Sequence, residues 1–137
     1  MDATQQLREL LQSYFNLRSA VLRKLTDSAL SDTAIQEALT LSYEVLRRRR
    51  RDAAAWQPNE IGELATLLDL SNHKAVQLKT IARQIEQLPN DYRIKLLKMS
   101  LLSTHKLTLR ANDWHNWKQV ELERIAAGLE RLPLSIQ

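Results

Sequence analysis

Residues 2–26, DATQQLRELLQSYFNLRSAVLRKLT, carry Leu7, Leu10, Leu11, Tyr14, Leu17, Val21, Leu22 and Leu25 three or four positions apart. That spacing puts apolar side chains along one face of an α-helix. Asp2, with Gln5 three residues later, reads as a capping box at the start of this helix. The predicted first helix is therefore long and amphipathic, and ends near Thr26.

The same period continues downstream. Ser31 or Asp32 opens a second helix with Ile35, Leu39, Ser42, Leu46, Arg49 and Ala53 on its inner stripe. Pro58 suits the first turn of a third, with Ile61, Leu64, Ala65 and Leu68 inward. Ser71 or Asn72 caps a fourth, carrying Leu78, Ile81, Ile85 and Leu88, and Pro89 stops it. Asn90 and Asp91 open a fifth with Ile94, Leu97, Leu101 and Leu102. Asn112 or Asp113 opens the last, with Leu122, Ile125, Leu129 and Leu132 inward and Pro133 beyond it.

Two glycines, three prolines and an abundance of Leu, Ala, Gln, Glu, Arg and Lys agree with this reading. Strand-rich domains spend many glycines on turns, which helix bundles do not need. The expected fold is all-α: a compact bundle of about five to six helices with short loops, one domain over residues 1–137, without internal repeat or long linker. The chain is long enough to bury a core without staples. With 44% hydrophobic and 26% charged residues, disorder is not indicated.

Several functions are disfavoured by what the chain contains. There is no cysteine, so disulfides, thiolate metal sites and cysteine nucleophiles drop out. His73, His105 and His115 are widely separated and form no metal-ligand spacing. Glu121 and Glu123, two apart, point to different sides of a helix and make no ligand pattern with Asp113. No glycine-rich phosphate loop and no nucleophile elbow occurs. The expectation is a non-enzyme without cofactor or metal. No apolar run approaches the roughly 20 residues of a membrane span, and nothing resembles a signal peptide, so a cytoplasmic protein without membrane contact is expected.

Charge is the main functional signal. Arg47, Arg48, Arg49, Arg50 and Arg51 are consecutive, and at about 100° per residue they reach every side of a helix. Such a segment is expected to leave the core and to stand in solvent or against phosphate. The net charge of +4 also hides an asymmetry. Asp52, Glu60, Glu63 and Asp69 lie in a stretch with no Lys or Arg before Lys74. Beyond it come Lys79, Arg83, Arg93, Lys95, Lys98, Lys106 and Arg110, with only Glu86 and Asp91 opposing. A merely soluble helix surface mixes signs, since opposite pairs stabilise it slightly. Arg47 to Arg51 with Lys79, Arg83, Lys95, Lys98, Lys106 and Arg110 are thus the candidate nucleic-acid contacts. The acidic stretch could dock on the basic surface of a neighbouring copy or subunit.

Two weaker signals stand beside charge. Trp56, Trp114 and Trp117 could stack on unpaired bases, although tryptophan in a bundle more often plugs a gap between helices. Residues 63–81 also resemble a helix-turn-helix unit, with Ala65, Ala75 and Leu78 in core slots and Asn72, His73, Lys74, Gln77 and Lys79 offered to a major groove. Its turn carries Asp69 where such motifs usually have glycine, so Asp69 must tolerate positive φ. The alternative is an ordinary helical corner.

A small, basic, single-domain helical bundle with separated acidic and basic segments resembles the small subunit of CRISPR effector complexes, in type I Cascade, with a lean to subtype I-D, or in the type III assemblies. The resemblance spans the whole chain and rests on size, helix content and charge layout. It implies a non-catalytic subunit, stacked in several copies beside other subunits, that braces a crRNA–target duplex or displaced strand without reading sequence. The arginine run and the basic residues named above would be its contacts. A helix-turn-helix regulator and a helical adaptor or secretion chaperone are the competing readings.

Overall fold

The computed structural model describes residues 2–70 and 74–132, with side chains for all of these except 74–77. Eight α-helices are present among them: α1 (Ala3–Asp27), α2 (Asp32–Leu39), α3 (Tyr43–Arg51), α4 (Pro58–Leu67), α5 (Lys74–Glu86), α6 (Asn90–Met99), α7 (Thr104–Asn112) and α8 (Gln119–Arg131). Two 3-10 turns, Ala53–Ala55 and Trp114–Asn116, join α3 to α4 and α7 to α8. The all-α class holds; the expected five to six helices become eight.

The extra helices come from two breaks that no glycine or proline marks. The predicted second helix is divided at Thr40, which takes the left-handed conformation (φ 55°) and lets the Leu41 N–H bond Gln36 O at 3.1 Å. Ser42 then caps α3 by accepting from the Val45 N–H. The predicted fifth helix stops in the same way. Leu101 has φ 55°, Leu102 N–H bonds Leu97 O at 3.0 Å, and Ser103 caps the unpredicted α7 by accepting from Lys106 N–H. The last helix begins at Gln119 and not at 112 or 113; Asp113 instead caps the 3-10 turn through His115 N–H.

These coincidences belong to an internal repeat, which the sequence reading missed. Leu46, Arg49, Asp52, Trp56 and Glu60 recur as Leu107, Arg110, Asp113, Trp117 and Glu121 at a constant spacing of 61 residues (49 to 110). Both copies run helix, left-handed turn, serine-capped helix, aspartate-capped 3-10 turn, helix. The spacing extends back into α1 and α5, where Leu17, Arg18 and Val21 match Leu78, Lys79 and Ala82.

The core lies where the two copies meet. α1 packs along α5 and also touches α4 and α8. Leu7, Leu11, Val21, Ile35, Ile61, Leu64, Ile81, Ile85, Leu96, Leu122 and Ile125 are buried there. The predicted inner faces of α4, α5 and α8 are correct. On α6, Leu96 and Leu97 are buried, whereas the expected core residues Ile94 and Leu101 are 45% and 69% exposed. The helix-turn-helix cap residues Ser71 and Asn72, with His73, lie outside the described residues, as does Pro133.

Candidate nucleic-acid interface

α3 divides the five arginines by helical phase. Arg49 follows Leu46 by three residues and turns inward with it. Its Nε donates to Glu60 Oε1 at 3.1 Å and its Nη2 to Glu60 Oε2 at 3.4 Å. Arg50 Nε donates to Asp32 Oδ1 at 2.9 Å. The expectation that the run leaves the core for solvent or phosphate therefore fails at Arg49, because a carboxylate waits for it at the first turn of α4. Arg47, Arg48 and Arg51 remain exposed and in no ion pair among the described residues. Positions 47, 48 and 51 fall within about 100° of arc, so their guanidinium groups share one outward face. Arg47 also stands 5.7 Å over the Tyr43 ring.

The equivalent pair in the second copy is tighter and deeper. Arg110 Nε and Nη2 donate to Glu121 Oε1 and Oε2 at 2.9 and 2.8 Å, and each side chain is 9% exposed. Burial pushes the Glu121 carboxyl up, but the Arg110 hydrogen bonds and the Lys118 backbone N–H outweigh it and hold the carboxyl below its ordinary range. Arg110 is thereby corrected from a candidate nucleic-acid contact to an internal structural cation. Arg49 is likewise committed to Glu60.

The other candidate bases are surface groups on three elements. Lys79 and Arg83 on α5 line a cleft against α7 and its 3-10 turn. Lys95 and Lys98 are exposed on α6, and Lys106 on the first turn of α7. The acidic stretch is partly engaged within the fold: buried Glu60 holds both Arg49 and the Gln57 N–H, and Asp52, itself exposed, accepts from Ala54 N–H. Glu63 and Asp69 are the exposed acids that remain.

Trp56 and Trp117 are each 1% exposed, so neither can stack on a base. They plug the ends of the 3-10 turns. Trp114 is half-buried and stacks on His115, with ring centroids 3.8 Å apart.

One cluster carried no legible signal in sequence. The buried Arg18 donates to the carbonyls of Trp56 (2.7 Å), Ala53 (3.1 Å) and Ala54 (3.3 Å) and to Gln119 Oε1 (3.0 Å). Tyr14 OH donates to the same Gln119 oxygen at 2.6 Å, and Gln119 N–H reaches Gln57 Oε1. Burial raises the Tyr14 phenol to about 12, against the opposing pull of Arg18. This network ties α1 to the first 3-10 turn and to the starts of α4 and α8. Periodicity exposes none of it, because Arg18 sits beside Leu17 on the buried face.

Among the described residues no three His, Asp or Glu side chains converge on a possible metal position, and no helix is long and apolar enough to cross a membrane. Comparison with protein-family models, curated proteins and solved structures finds no match to this chain.

Proposed function

We propose that this protein binds nucleic acid through phosphate, without reading sequence and without catalysis. The observation that carries the reading is the α3 face: Arg47, Arg48 and Arg51 are exposed together and make no ion pair among the described residues, with Glu44 the one acid on that face, while Arg49 and Arg50 are held by Glu60 and Asp32. Three unpaired guanidinium groups on one turn suit a polyanion, because each phosphate neutralised releases counterions. Lys95, Lys98 and Lys106 add exposed charge on α6 and α7. The resemblance to CRISPR small subunits supplies the setting: a cytoplasmic RNA-guided complex in which crRNA, target strand, other subunits and further copies are the partners, and base pairing supplies sequence recognition.

The test is anisotropy titration of a labelled single-stranded oligothymidylate over a range of salt. The Arg47→Ala/Arg48→Ala/Arg51→Ala protein is expected to bind more weakly and to lose about 2 units of the slope of log K against log salt. Unchanged affinity and slope would remove the role given to α3.

One observation favours a second reading. Asp69 takes φ 60°, the conformation a helix-turn-helix turn requires at that position. Against it, α5 is flanked by α1, α4 and α7, whereas a recognition helix has to project a long free face into a groove about 12 Å wide. Footprinting that reveals a preferred duplex sequence would favour this reading over the first.

A further inference from the structure

The internal repeat supplies its own control for one cleft. In the first copy the space between α1 and the α3 turn is lined by Leu22, Leu25, Arg49, Arg50, Ala53 and Trp56 and holds about 120 Å³. Arg18 closes that region by bonding three carbonyls of the 3-10 segment. In the second copy the matching space, between α5 and the α7 turn, holds about 520 Å³. The matched positions have changed character: Leu22 becomes Arg83, Arg50 becomes Ala111 and Ala53 becomes Trp114. Arg18 becomes Lys79, whose ammonium stands 5.9 Å over the Trp114 ring and makes no ion pair among the described residues.

We propose that this second cleft is a subsite for an unpaired nucleotide. The base stacks on the indole face of Trp114 turned away from His115, which Lys79 vacates, and Lys79 and Arg83 take the adjoining phosphate. The inference rests on the nucleic-acid reading above and adds a place where a base is held. An indole face offers a base about 1–3 kcal/mol of stacking without regard to its identity, so the subsite keeps binding independent of sequence. Two exposed cations beside an aromatic plane match the mixed character of a nucleotide, and 520 Å³ is within the range that admits one. Lys79 has a flexible four-carbon stem, which lets it leave the ring for a phosphate. The Asp113 carboxylate at the cleft wall is already engaged by His115 N–H and Asn116 Nδ2, so it presents less free charge to an anion.

Intrinsic fluorescence reads this subsite selectively, because Trp56 and Trp117 are buried and Trp114 is the tryptophan within reach. Oligothymidylate is expected to quench the wild-type emission, and an abasic oligomer of equal charge is not. Trp114→Ala should weaken oligothymidylate binding about tenfold, whereas Trp114→Phe, which keeps an aromatic face, should retain most of it. If the oligomer binds in a way that depends on Arg47, Arg48 and Arg51 but without quenching or a Trp114→Ala effect, the subsite is overturned and the nucleic-acid reading stands. If the wild-type protein binds neither oligomer, both are overturned.

Discussion

Arg110 lies against Glu121 in a two-pronged ion pair with contacts of 2.9 and 2.8 Å, and both side chains are nine-tenths buried. Glu121 Oε1 also accepts the Lys118 N–H, so the same carboxylate caps α8 and receives the last turn of α7. Arg49 and Glu60 repeat the arrangement between α3 and α4 at 3.1 and 3.4 Å. Each copy thus fixes the angle between two helices through one glutamate at the foot of the second.

Removing one partner of the deeper pair leaves a buried, uncompensated charge. Arg110→Ala is expected to lower unfolding stability by about 3 kcal/mol, measured by urea denaturation. Arg49→Ala should cost less, about 1–2 kcal/mol, because water reaches the Arg49 side chain, which is 18% exposed.

The Glu121 carboxyl is held below its ordinary 4.5, so its contribution is present above that value and is lost as pH falls through the lower folded value. Stability of the wild-type protein is therefore expected to fall with acid below about pH 4.5. In Glu121→Gln that part of the slope should be absent in a pH series of urea midpoints.

Tyr14 is shifted the other way, from 10.0 to about 12. Its neutral form is the one the fold accommodates, so the contribution is intact below pH 10 and is lost as pH rises towards 12. Ultraviolet titration of phenolate absorbance is expected to show one tyrosine ionising about two units late, and Tyr14→Phe to abolish that component.

The two glycines should respond oppositely to alanine. Gly62, inside α4, has no atom within 4 Å of where a Cβ would stand, so Gly62→Ala should stabilise by about 0.5–1 kcal/mol. At Gly128 a Cβ would meet Leu96 Cδ1 at 2.8 Å, across the closest approach of α8 to α6. Gly128→Ala must displace a fully buried leucine and is expected to gain nothing or to destabilise by about 1 kcal/mol.

The arginines should separate by role. Arg49→Ala is expected to lower the melting temperature and leave oligonucleotide affinity nearly unchanged. The Arg47, Arg48 and Arg51 triple variant should do the reverse, since none of the three makes an ion pair among the described residues. Parallel melting and anisotropy measurements on both proteins decide it.

Sequence alone determined the all-α class and the inner faces of α1, α4, α5 and α8, because burial on one helical side leaves a period that composition cannot hide. It also located the cations. It did not divide the helices at Thr40 and Leu101: left-handed residues usually announce themselves as glycine, and these do not. The 61-residue repeat escaped for a related reason, since few positions recur as identical residues and those are scattered among unlike ones. Which arginines are free was decided only by tertiary structure. A guanidinium has the same charge everywhere, and its availability depends on whether the fold brings a carboxylate such as Glu60 or Glu121 within 4 Å of it.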